Sequence, residues 1–98
     1  MEHTLKCWPE PFSETVAGRK NFEYRKNDRG YKVGDTLILR EWLPDYLAYT
    51  GREITVKVTY MLDKGFGLPE GYCILSTAPI EATTKEETAR LIAERGMS

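Results

Sequence analysis

The chain has 98 residues, 14 Lys and Arg against 15 Asp and Glu, a formal net charge of −1 and a hydrophobic fraction of 41%. That length holds one modest core and excludes two, and the charged fraction of 30% is ordinary for a folded soluble domain and excludes global disorder. Neither the opening MEHTLKCWPE nor any later apolar run has the length of a signal peptide or a membrane span, so a single cytoplasmic domain over residues 1–98, without membrane association, is expected.

In chain order, His3 to Trp8 suits a short strand that Pro9 stops. A helix of about two turns comes next: Pro9 and Pro11 suit its start, Phe12 and Val16 share a face, and Gly18 suits its C-terminal cap. Asn21 to Lys26 alternates as a strand, with Phe22, Tyr24 and Lys26 on one face and Asn21, Glu23 and Arg25 on the other. Turn residues including Gly30 and Gly34 lead to a strand over Asp35 to Trp42, and LPDYLAYTG reads as a hairpin connection. Arg52 to Leu62 is the clearest strand, with Ile54, Val56, Val58, Tyr60 and Leu62 assigned to the core. A glycine-rich loop separates it from a buried strand over Tyr72 to Thr77, and Thr84 with Glu87 forms a capping box for a terminal helix over about 84–95. The connections favour antiparallel pairing, which makes the expected fold an α+β domain whose small, strongly curved five-stranded sheet forms a partly open barrel.

Cys7 and Cys73 lie far apart in apolar surroundings and suit buried reduced thiols, and His3 is the only histidine, so no metal or other cofactor is expected. Charge is segregated, however. Between Gly18 and Lys32 six cations face two acids, giving +4, and the rest of the chain therefore carries −5. Such a concentration suits an anionic partner. Lys20 has the wrong parity to share a strand face with Glu23 and Arg25, and can join them only from a turn made possible by Gly18. Converged, an arginine fork, a carboxylate acceptor and a lysine suit a phosphate or a base edge. The competing reading is a salt-bridge network with no ligand. Trp8, Tyr24, Trp42 and Tyr72 lie near these charges and suggest a platform for unpaired bases, although Tyr24 and Tyr72 fit the core better.

Gly18-x-Lys20-x-x-Glu23-x-Arg25 resembles the Gly-x-Lys-x-x-Glu-x-Arg signature of ASCH domains in the PUA-like superfamily. HTLKCWPEPF, VGDTLILREW, YTGRE and GFGLPEGY extend the likeness, over about residues 3–77, to small bacterial and phage-associated ASCH-like proteins of unknown function. The resemblance implies a PUA-like barrel with a helix beside a cleft lined by the signature segment, with Lys6 and Trp8 as walls. It implies RNA or a nucleotide-derived small molecule as ligand, rather than DNA. Some ASCH relatives are amidohydrolases of N4-acetylcytidine that use a Lys-x-x-Thr pattern and a distant glutamate. Here Lys20 matches the lysine, Glu23 stands in the threonine position, and Glu70 is the candidate distant glutamate. A carboxylate is a poor replacement for a hydroxyl nucleophile in acyl transfer. The leading expectation is therefore a binding module with Lys6, Trp8, Gly18, Lys20, Glu23, Arg25, Glu70 and Tyr72 around its ligand. A hydrolase of a nucleoside derivative or of RNA, with Lys20 and Glu23 as its catalytic pair, comes second, and a phage-encoded protein-interaction module third.

Overall fold

Residues 1–80 are described by a computed structural model, in the order β1 (Glu2–Cys7), α1 (Pro9–Val16), β2 (Phe22–Lys26), β3 (Thr36–Leu43), β4 (Ala48–Leu62) and β5 (Tyr72–Pro79). The helix expected over 84–95 lies outside the described residues. Alternation places Leu5 and Cys7 of β1, Leu37 and Leu39 of β3, Val56 and Val58 of β4, and Cys73 and Leu75 of β5 on one concave face. Phe12 from α1 and Tyr31 from the loop before β3 complete this core. Each aliphatic side chain withdrawn from water contributes about 1.5–3 kcal/mol.

The strands form one sheet in the order β1-β3-β4-β5-β2. β3 with β4 and β4 with β5 are antiparallel, as their direct connections favour, and β5 with β2 is antiparallel although β3 and β4 intervene, but β1 runs parallel to β3. The expectation of hairpin pairing misses this because α1 and β2 intervene and supply the crossover that a parallel pair needs. β4 is also longer than expected and begins at Ala48, within the segment read as a connection.

A third difference lies near the end of β4. Val58 pairs with Thr77 and Tyr60 with Ser76, so the register slips by one residue at Thr59. An extra residue reverses the inward and outward parity of the rest of its strand. Tyr60, assigned to the core by alternation, is therefore exposed, and Met61 packs against the core in its place.

The sheet curls until its two outer strands face each other across a seam. The seam is crossed by side chains: Arg25 Nη2 donates to the Lys6 carbonyl at 2.9 Å and Arg29 Nη1 to the Thr4 carbonyl at 2.9 Å. A five-stranded mixed half-barrel with one short helix results.

Beneath the seam, Asp35 organises the entry to β3. Its buried carboxylate meets His3 Nε2 at 2.8 Å and the Met1 amino group at 3.1 Å, and accepts from the Lys32 backbone N–H at 3.0 Å. The His3 hydrogen bond is the main cause holding its pKa below the ordinary 3.8, against the opposing effect of burial. A depressed folded pKa means that the unfolded chain binds the proton more readily. The stabilisation is complete above the unfolded value and fades as pH falls through the folded one. Asp35→Asn should therefore flatten the acid limb of stability, read as urea midpoints compared between about pH 6 and about pH 3.

Candidate functional site

The candidate site begins with how α1 ends. Gly18 adopts φ +80°, a left-handed conformation that glycine enters without steric cost. Its N–H donates to the Thr15 carbonyl at 3.1 Å and the Arg19 N–H to the Glu14 carbonyl at 3.0 Å, the paired bonds of a Schellman ending. The Lys20 N–H also reaches Glu14, at 3.1 Å, so the chain is folded back until Phe22 starts β2. Lys20 lies outside the regular strand and escapes its parity.

That turn delivers Lys20 Nζ to Glu23 Oε2, with a further bond to the Phe22 carbonyl at 2.6 Å. Arg25 Nε donates to Glu23 Oε1 at 3.0 Å. The Glu23 side chain is only 5% exposed, whereas Lys20 and Arg25 are 18% and 27% exposed. A buried carboxylate thus holds two cations by separate oxygens, and the Phe22 and Lys6 carbonyls take a further donor from Lys20 and Arg25.

The triad lines a cleft of about 330 Å³ at the open seam, together with Lys6, Cys7, Trp8, Pro11, Phe22 and Tyr24. β1 and the start of α1 form one wall and β2 the other. Both faces of β2 contribute, Phe22 and Tyr24 as well as Glu23 and Arg25, because an edge strand beside a gap is reachable from either side. Lys6 Nζ stands 4.0 Å from the centre of the Trp42 ring, so the cation at the mouth rests on an aromatic face. Counting Lys6, Lys20 and Arg25 against Glu23, the lining carries +2. Cys7 is buried beneath it, with its thiol pushed up to about 11 by burial first and then by the Glu23 charge. A thiol kept protonated at neutral pH is no nucleophile.

Of the residues singled out in the sequence, Lys6, Trp8, Lys20, Glu23 and Arg25 meet in this cleft. Gly18 does not line it; it caps α1 and borders a smaller cavity of about 80 Å³ on the other side of Lys20. Glu70 is exposed in the turn before β5, beyond the Lys26 end of β2 and thus at the opposite end of that strand from Lys20. Tyr72 is also outside the cleft and stacks on Tyr24, with ring centres 5.5 Å apart. Neither tyrosine belongs to the core, and Tyr24 is 50% exposed, because β2 turns its even-numbered residues outward.

Sequence reasoning passed over Phe22, which adjoins Glu23, and Pro11, three residues after Trp8. It also passed over Glu41, a buried carboxylate opposite Cys7 across the β1–β3 pair. Glu41 accepts from Thr50 Oγ1 at 2.8 Å and from Arg52 at 3.4 Å. No local pattern marks it, since its partners come from the neighbouring strand β4.

The described residues define a small half-barrel domain with a basic, aromatic-walled cleft where the sheet fails to close. The chain belongs to the family described as Domain of unknown function (DUF3850), whose model matches residues 2–77. It is also similar to the "Uncharacterized 12.9 kDa protein in GpA 3'region" of Escherichia phage P2, 38% identical over 73 residues, which are 74% of this chain and 64% of that protein. The match therefore spans less than two thirds of the phage relative. No helix among the described residues is long and apolar enough to cross a membrane.

Proposed function

We propose that this protein is an RNA- or modified-nucleoside-binding module of the ASCH, PUA-like type, with its ligand in the cleft at the seam. The observation that carries this reading is the combination in one cleft of three cations, Lys6, Lys20 and Arg25, with the rings of Trp8, Phe22 and Tyr24. Rings offer stacking faces to a base, and the cations offer two ammonium groups and the Nη1 of Arg25, whose Nε and Nη2 already donate to Glu23 and to the Lys6 carbonyl, to phosphate or to base edges. Glu23 favours binding over hydrolysis. Both its oxygens already accept from cations, which suits an orienting anchor better than a base that must take a proton from water.

The test is incubation of the full chain with short RNAs and a panel of acylated and unmodified nucleosides, with mass-spectrometric detection of retained ligands and of products. Retained ligand without product is the expected result, and product formation would replace the binding module by a hydrolase. Arg25→Ala should weaken the retained ligand by about 1.5–3 kcal/mol if Nη1 donates to it directly. Unchanged affinity with an intact fold would remove Arg25 from the site.

A further inference from the structure

The cleft is not where the exposed rings end. β2, β5 and the last part of β4 turn a second face away from the core, and the register assigns its members. Tyr60, Ser76 and Phe22 form one cross-strand row, Leu62, Ile74 and Tyr24 the next, and Tyr72 with Lys26 a third. Lys57, opposite Ala78, stands at the other end. Phe22, Tyr24 and Tyr60 are 48%, 50% and 60% exposed. In a chain with 15 acidic residues, these rows hold four aromatic rings and two lysines and no carboxylate.

Two geometric facts give the face a direction. Phe22 and Tyr24 belong both to it and to the cleft lining, so cleft and face are continuous. Neighbouring strands lie about 4.8 Å apart, which puts Phe22 and Tyr60, separated by β5, about 10 Å from one another. Lys20 Nζ lies 4.9 Å from the Phe22 ring centre at the cleft end, and Lys26 and Lys57 border the rows further out. Lys20 is held by Glu23, whereas no carboxylate shares the rows with Lys26 and Lys57, and rings in sequence with such flanking ammonium groups are the chemistry that takes an unpaired polynucleotide, bases on rings and phosphates on lysines.

We propose that the outer face of β2, β5 and the end of β4 is a stacking platform for single-stranded nucleic acid that continues from the cleft across Tyr24 and Phe22 to Tyr60. The proposal rests on the reading of the cleft as a nucleotide site and extends it from one nucleotide to a chain of several. The bulge at Thr59 is what turns Tyr60 onto this face.

The experiment is a fluorescence-anisotropy titration of the full chain with labelled U2 and U10 RNA and T10 DNA, with uridine monophosphate as an unlabelled competitor or calorimetric ligand. It compares wild type, Tyr60→Ala and Lys57→Ala. U10 is expected to bind more tightly than U2, and Tyr60→Ala to weaken U10 by about 10-fold while leaving the monophosphate unchanged. Ring contacts do not sense the 2′-hydroxyl, so T10 should suffer the same loss. Lys57→Ala should lower the salt dependence of U10 binding by about one counterion. Length dependence with loss in Tyr60→Ala but no monophosphate binding would uphold the platform and overturn the cleft reading. Monophosphate binding with U10 no tighter than U2, or U10 binding unaffected by both substitutions, would overturn the platform and leave the rings to a protein contact.

Discussion

Replacing Glu23 with glutamine is expected to lower folding stability by about 3 kcal/mol. In the native protein one buried carboxylate compensates Lys20 and Arg25 through separate oxygens. A neutral amide keeps one acceptor, turns an NH2 group toward a cation's donors and leaves two positive charges with no counter-charge. Removing the central member of a buried pair costs about 3–5 kcal/mol, and the lower end applies because both cations keep some solvent. The check is urea unfolding, in which the midpoint should fall with an unchanged slope. Affinity for the ligand proposed for the cleft should fall too, since Lys20 and Arg25 lose their common anchor. A variant within about 1 kcal/mol of wild type would mean that solvent already screens the triad.

The second large effect is expected at Phe12. Helix α1 has eight residues, far too few to persist by its own hydrogen bonds, and Phe12 is 1% exposed. Its ring also lies 5.0 Å beneath the Arg52 guanidinium. Phe12→Ala should destabilise the fold by about 3–5 kcal/mol through lost burial and the cavity left behind. Because Trp8 and Pro11 reach the cleft from the start of this helix, ligand affinity should fall under conditions where the variant is still folded. Phe12→Leu, which leaves most of the volume filled, should restore much of both. Thermal melts and a titration on the same samples separate the effects, and a destabilised variant with unchanged affinity would show that α1 is not a functional wall of the cleft.

Much of this arrangement is legible in the linear order of residues, for a physical reason. Strand alternation and the Gly18 cap are local rules, so His3 to Trp8, Pro9 to Gly18 and Asn21 to Lys26 come within a residue or two of β1, α1 and β2. The convergence of Lys20 with Glu23 and Arg25 depended only on a turn after Gly18, and the structure contains that turn. Features that depend on partners distant in sequence escape. A bulge at Thr59 is decided by pairing with Ser76 and Thr77, and it alone moves Tyr60 from core to surface. Parallel pairing of β1 with β3 is set by the path of α1 and β2. Tyr24 and Tyr72 face outward because the inward positions of their strands are taken by Glu23 on β2 and by Cys73 and Leu75 on β5, a choice of face that aromatic content does not reveal.

The seam has a consequence for which changes in sequence the fold can absorb. Arg25 and Arg29 donate to the carbonyls of Lys6 and Thr4, not to their side chains. Every amino acid at positions 4 and 6 offers the same carbonyl, so β1 holds its half of the latch whatever those side chains become. The burden falls unequally: one margin of the opening is free to vary its surface chemistry, and with it the character of the cleft's mouth, while the other must keep two guanidinium groups of fixed reach. A domain joined in this way can change the side chain at Lys6 without renegotiating how its half-barrel is held together.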